Sequence, residues 1–169
     1  IDETAGMIYF TCNKDDPRQQ QLYSVKFDGS DFHPVSQEPG SHAATFSEDA
    51  KHYVDNFSAS LTPPRLSLCN PGEPCHQVWN SRPLNDFALT PPKYVEFKAE
   101  DGTTLYGSLL LPPSDDTTQK IPVIDYVYGG PAAQVVKNEW EGTTGLFHQM
   151  LAREGFAVFS VDNRGTPNR

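Results

Sequence analysis

A chain of 169 residues suffices for one ordinary domain or two partial ones, and 37% hydrophobic content allows a core of modest size. The net charge of −9, with 13 Lys and Arg scattered along the chain, argues against nucleic acid, whose phosphates need clustered cations. No apolar run of about 18 residues is present, and the 15 prolines and 12 glycines fall between short apolar runs, as in turns rather than in a disordered tail.

The opening Ile1-Asp2-Glu3-Thr4 has neither the basic start nor the apolar middle of a signal peptide. A start inside a strand repeat and a stop inside a loop motif lead to the expectation that the chain is cut from a longer polypeptide. No membrane contact is expected within it.

Residues 7–12, 21–27 and 32–35 alternate polar and apolar positions between clusters of Asp, Gly and Pro. The same order returns roughly 44 residues later at 51–57, 65–69 and 76–79. Short antiparallel strands with tight turns give this signal, and a period of about 40 to 45 residues with four strands per unit is that of a β-propeller blade. Between the two sets, residues 42–51 form an apolar strand running into a polar turn, as an innermost blade strand would. The first set lacks such an opening strand, so residues 1–83 are expected to hold about one and a half blades.

Cys12, Cys69 and Cys75 match no zinc pattern. Cys69 and Cys75 flank the turn Asn70-Pro71-Gly72-Glu73-Pro74, which leaves two readings open: a disulfide, or two inert reduced thiols. A disulfide would place the parent in an oxidising compartment, periplasmic or extracellular.

At Thr90-Pro91-Pro92 the texture changes, and two consecutive prolines make a stiff connector suited to a domain boundary. Residues 93–99 and 104–111 read as a hairpin around Glu100-Asp101-Gly102. A polar loop over 112–120 leads into the apolar run 121–128, expected to be a strand buried on both faces. Leu146, Phe147, Met150, Leu151 and Ala152 recur at helical spacing, Gly155 sits where a helix would stop, and 156–161 is the next buried strand. This is a βαβ unit and implies parallel pairing.

Tyr126-Val127-Tyr128-Gly129-Gly130-Pro131 and Ser160-Val161-Asp162-Asn163-Arg164-Gly165-Thr166 thus close two apolar runs, like consecutive strand ends of an α/β-hydrolase sheet. Acyl-transfer enzymes of that type need a hydrogen-bond donor aimed at the developing oxyanion, supplied from the loop after the third strand. Tyr128 stands at that position, with Gly129 and Gly130 allowing a sharp turn and Pro131 fixing it. The residues alone leave a second reading equally open, a tyrosine buried at a strand terminus. No G-x-S-x-G nucleophile elbow is present.

The order of a Tyr-Gly-Gly-Pro strand end, a Trp, a helix and Phe-Ser-Val-Asp-Asn-Arg-Gly-Thr resembles the prolyl oligopeptidase family of serine peptidases, most of all bacterial dipeptidyl peptidase IV-type members. The resemblance covers nearly the whole chain, and its most specific motifs are 127–131 and 162–166. It implies a mixed fold, with residues 1–90 the C-terminal part of a β-propeller and 91–169 the N-terminal part of an α/β-hydrolase catalytic domain.

The implied activity of the parent is release of N-terminal dipeptides with Pro or Ala in second position. Peptides would be its partners, no cofactor or metal is needed, and a homodimer is an assembly the family allows. By position, Tyr128 resembles the oxyanion-hole tyrosine, and Asp162, Asn163 and Arg164 resemble a loop that holds geometry near the site. The Ser, Asp and His of the family would lie beyond Arg169, so the isolated chain is expected to be inactive. Two alternatives stand beside this reading: a propeller-type binding module, or an acylaminoacyl peptidase or endopeptidase of the same family.

Other motifs carry less. His33, His42, His52, His76 and His148 include no H-E-x-x-H spacing and are expected at the surface or in turns. Phosphate-cradle patterns are absent. Asn56-Phe57-Ser58 matches a glycosylation sequon inside an expected strand. Trp140 and Phe147 are read as core aromatics ahead of specificity-pocket residues.

Overall fold

The computed structural model describes residues 1–113 and 120–167, and these form two compact units. The polar loop expected at 112–120 falls mostly outside the described residues. The first unit comprises Ile1–Pro83 with the short segment Asn138–Trp140, and the second comprises Leu84–Lys137 with Glu141–Arg169.

The first unit is built from two antiparallel sheets, consistent with propeller blades. Strands β1 (Met7–Cys12), β2 (Gln21–Lys26) and β3 (His33–Pro34) make a three-stranded sheet. Strands β4 (Ser41–Phe46), β5 (Tyr53–Ala59), β6 (Thr62–Cys69) and β7 (His76–Asn80) make a four-stranded meander in chain order. The echoed triplets of the sequence are β1-β2-β3 and β5-β6-β7, and β4 is the extra strand between them. Strand β6 starts three residues before the expected one, at Thr62. Pro63 and Pro64 sit beside a register shift at Phe57 and Ala59 of β5, where an irregular ladder tolerates residues with no N–H to give.

Leu22, Tyr53 and Cys69 are the buried centre of this unit, with Tyr9, Val35, Ala44 and Phe46 packed around them. Three rings run through it in a stack: Tyr9 to Phe46 at 4.7 Å and Phe46 to Tyr53 at 4.8 Å between centroids. Since Tyr9 belongs to the first sheet and the other two to the second, the stack joins the sheets, each pair worth about 0.5–1.5 kcal/mol beyond area burial. Backbone bonds add to it, with the Gln20 amide donating to the Gly40 carbonyl and the His42 amide to the Gln20 carbonyl. Cys69 and Cys75 form a disulfide that closes the β6–β7 turn, which resolves the two readings left open by the sequence.

The second unit contains a four-stranded sheet in the order β10-β11-β9-β8. Strands β8 (Lys93–Lys98) and β9 (Thr104–Leu110) form the expected hairpin; β10 (Val123–Asp125) and β11 (Ala157–Val161) pair in parallel across helix α1 (Gly142–Arg153). Strand β11 runs antiparallel to β9 and is the buried strand of the sheet, with Ala157, Val158 and Ser160 all inaccessible.

Two expectations are corrected here. The apolar run 121–128 gives a strand of three residues, not one buried on both faces, and Val123 is 61% exposed. Among the described strands β10 pairs only with β11, so one of its edges has no ladder to extend it. Helix α1 buries His148 and Ala152, with Leu151 against the core, while Phe147 and Met150 are exposed. One sheet covers only one side of a helix, and the apolar residues of α1 are spread over more than that side.

The helix stops as the sequence indicates. Gly155 has φ +93°, its amide donates to the Ala152 carbonyl, and the Phe156 amide donates to the Leu151 carbonyl, the pair of bonds that defines a Schellman cap. The Thr90-Pro91-Pro92 connector is tied to α1 by Gln149, whose side chain accepts from the Thr90 amide at 2.9 Å and donates to its carbonyl at 2.8 Å.

Gly40, in the connection leading to β4, is required by close approach. A Cβ placed there would lie 2.6 Å from the Ser58 carbonyl oxygen and 2.7 Å from the Phe57 ring. Gly40→Ala is expected to lower stability by about 1–3 kcal/mol through overpacking, read as a lower denaturant midpoint at unchanged slope.

Candidate functional site

The candidate site is assembled at the end of β11. The Asp162 amide continues the ladder by donating to the Tyr106 carbonyl at 3.0 Å, while its side chain turns inward and is 2% exposed. A buried carboxylate must be hydrogen-bonded, and here two backbone amides serve it. Val135 N–H donates to Oδ1 at 2.9 Å, and Val136 N–H lies 3.4 Å from Oδ1 and 3.3 Å from Oδ2. Val136 itself is fully buried.

The neighbouring Asn163 reaches the other end of the same loop. Its Nδ2 donates to the Tyr128 carbonyl at 3.4 Å and to the Gly130 carbonyl at 3.3 Å, while Oδ1 accepts from the Gly165 amide at 2.8 Å. Gly165 lies close under Pro131, where an added Cβ would come within 3.4 Å of the proline Cβ. The Tyr126 amide donates to the Phe159 carbonyl at 2.8 Å, fixing the loop where it leaves β10. The two motifs singled out in the sequence are therefore in direct contact.

Tyr128 is 43% exposed in this chain. The two glycines act differently from the expectation that both serve a sharp turn. Neither has a left-handed backbone conformation. Gly130 provides room instead: a Cβ there would lie 3.2 Å from the Tyr128 ring and 3.6 Å from its hydroxyl oxygen. Gly129 has no neighbour within 4 Å of such an atom. Contact with the ring is not legible in the pattern Gly-Gly-Pro, because permissive φ is the commoner reason for glycine in a turn.

The histidines need correction as well. His42 and His148 are buried, not at the surface. His42 is accommodated because Nδ1 faces Asp55 Oδ2 at 2.8 Å and Nε2 faces the Glu38 carbonyl at 2.9 Å, with the Phe57 ring 4.7 Å away. His148 packs against the edge of Tyr126 at 4.6 Å. Phe147 is 53% exposed and so fills no core, and in the sequon Ser58 is buried with its hydroxyl accepting from the Trp140 amide. Among the described residues no group of three or more His, Cys, Asp and Glu side chains is arranged to hold a metal ion, and no helix is long and apolar enough to cross a membrane.

Residues 1–64 match the family model for the dipeptidyl peptidase IV N-terminal region. Over its whole length the chain is 29% identical to dipeptidyl peptidase 8 of Homo sapiens, of which it covers 20%. Across 98% of its length it is 31% identical to a probable dipeptidyl-aminopeptidase B of Ajellomyces capsulatus (strain H88), of which it covers 19%. These matches support the dipeptidyl peptidase IV-like branch of the prolyl oligopeptidase family. It spans about a fifth of the length of these relatives. The similarity runs through both units, so the loop pair around Tyr128 and Asp162 lies within the part shared with dipeptidyl peptidases.

The last residue of the second motif to find a partner is Arg164, whose Nε donates to Asp101 Oδ2 at 2.9 Å in the β8–β9 turn. Asp101 is held at about 2, from an ordinary 3.8, first by the Thr103 amide and then by this guanidinium. A depressed carboxyl contributes stability above its ordinary range, and that contribution is lost as pH falls through about 2. Arg164→Ala is expected to move the Asp101 midpoint upward, toward the ordinary value, in a carboxyl NMR titration. An unmoved midpoint would assign the whole depression to the Thr103 turn.

Proposed function

We propose that this chain is the junction of a serine exopeptidase, with residues 1–90 the end of a β-propeller and 91–169 the beginning of an α/β-hydrolase catalytic domain. The parent releases dipeptides from peptide amino termini, with Pro or Ala in second position. The single observation that carries this reading is the placement of Tyr128: an exposed tyrosine on the loop that follows the parallel strand β10, braced from β11. A loop after such a strand is where an α/β-hydrolase supplies an oxyanion donor.

In the proposed reaction a serine Oγ attacks the scissile carbonyl as a histidine takes its proton, and the carbonyl oxygen becomes an oxyanion. The Tyr128 O–H donates to that oxygen. Collapse of the intermediate breaks the peptide bond and the histidine returns the proton to the leaving amine; water then releases the acyl group by the same route. A donor of this kind acts on the transition state more than on the bound substrate, so its removal lowers kcat. The serine, histidine and aspartate lie outside this chain in this proposal, in keeping with the absence of a G-x-S-x-G elbow. The Cys69–Cys75 disulfide supports an oxidising, periplasmic or extracellular location for the parent.

In the full-length enzyme Tyr128→Phe is expected to lower kcat by roughly 10²- to 10³-fold with intact folding. An unchanged rate would return Tyr128 to a structural role. The isolated 169-residue chain is expected to be inactive on a Gly-Pro amide. Turnover by the pure chain, surviving active-site serine titration controls, would overturn that part of the proposal.

A further inference from the structure

From the contacts between the two loops we infer that Asn163 is a positioning residue for the Tyr128 hydroxyl. This rests on the reading of Tyr128 as an oxyanion donor and adds to it the group that aims the phenol.

The loop from Tyr126 to Lys137 contains no regular element beyond the end of β10, so no ladder defines the direction of its residues. Three supports replace one. The Tyr126 amide is fixed on β11, the Val135 and Val136 amides are fixed on Asp162, and between them the Tyr128 and Gly130 carbonyls converge on the single Nδ2 of Asn163. The outer two supports restrain the ends. Asn163 alone among these contacts touches the backbone of Tyr128 itself and of the glycine that lies against its ring.

The geometry also explains why the residue is an asparagine. Binding two carbonyls on one side and the Gly165 amide on the other calls for a side chain with both donor and acceptor, and the amide provides them from one planar group. An aspartate could keep the Gly165 contact but has nothing to donate when ionised. A serine could accept from the amide two residues on, preserving the turn, but it is too short to reach both carbonyls.

Release of those carbonyls would let the Tyr128 backbone shift while the fold stays in place, because the Asn163 side chain is exposed and Asp162 still holds the far end of the loop. A displacement of about 1 Å in a reacting or stabilising group can cost on the order of 10²-fold in rate. The loss falls on kcat, since oxyanion stabilisation develops with the transition state.

The test is a double-mutant cycle in the full-length enzyme on a Gly-Pro amide substrate, with Asn163→Ser, Tyr128→Phe and the pair. Asn163→Thr, which also keeps an acceptor for Gly165, serves if the serine variant fails to accumulate. The expected result is a fall in kcat of about 10- to 100-fold for Asn163→Ser at little changed KM and melting temperature. The double variant is then expected to be no slower than Tyr128→Phe alone, because a clamp that acts through the hydroxyl has nothing to aim once it is gone. If Tyr128→Phe lowers kcat while Asn163→Ser leaves it unchanged, or the two losses multiply, the positioning role is overturned and the donor role of Tyr128 survives. Should Tyr128→Phe leave kcat unchanged, the oxyanion reading falls and the positioning role with it.

Discussion

A carboxylate that is 2% exposed at the end of a central strand cannot be left without hydrogen bonds, and the second unit is arranged around meeting that need for Asp162. Its partners are the amides of Val135 and Val136, which belong to a stretch with no ladder of its own. Hydrogen bonds to a charged group contribute about 1.5–3 kcal/mol. The dependence runs both ways. Asp162 is buried because the loop covers it, and the loop has its path because Asp162 is there to accept its amides. Val136, fully buried beside it, adds an apolar anchor at the same point.

The first unit solves a different problem with different means. Its two sheets have their own internal ladders, broken only locally by register shifts at Phe57/Ala59 and Leu66/Ser67, so what remains to be fixed is how one sheet meets the next. The Tyr9–Phe46–Tyr53 stack, the Gln20–Gly40 backbone bond and the close approach of Gly40 to Ser58 do so through rigid groups. Ion pairs contribute less. Lys26–Asp31 is about half exposed on both sides and Glu38, the partner of Arg65, on one, where such pairs are worth about 1 kcal/mol or less. Arg18 and Asp16 are more shielded, and His42 with Asp55 is enclosed between the Phe57 ring and the Glu38 carbonyl. Enclosure rather than charge makes that pair part of the core.

What the sequence makes legible follows from the range of each signal. Period-two alternation and turn residues are local, and they locate β1, β2, β5 and β7 closely and the β8–β9 hairpin almost to the residue. The helix stop at Gly155 is legible for the same reason, since a Schellman cap involves neighbouring residues only. Burial is not local. The run at 121–128 looks like a core strand, yet β10 is short and exposed because its environment depends on which strands flank it. His42 gives no signal of its partner Asp55, which lies across a turn on the next strand. Nor can composition indicate that Asn138 and Trp140 group with the first unit, where they bond Ser60 and Ser58, 78 and 82 residues earlier. At the site, the two motifs are each visible in the sequence, but the Asn163 contacts that bring them together are not.

The tyrosines show how the same side chain is given different tasks. Tyr23 is 1% exposed and stacked on Phe32, and its hydroxyl donates to Asp15 at 2.5 Å, which raises the phenol to about 12. Tyr94 donates to the Lys137 carbonyl at 2.9 Å. Burial raises Tyr53, the last ring of the aromatic stack. In each case the ring or hydroxyl is engaged in holding the fold. Tyr128 has the reverse arrangement, with its main chain restrained by Asn163 and its ring rested on Gly130 while the residue stays 43% exposed. Under the proposed oxyanion role, a group that meets a charge existing only during reaction has to be held by something other than its own functional atom. Fixing the backbone and leaving the tyrosine exposed is compatible with that role, and the fixing contacts here come from Asp162 and Asn163 at the end of β11.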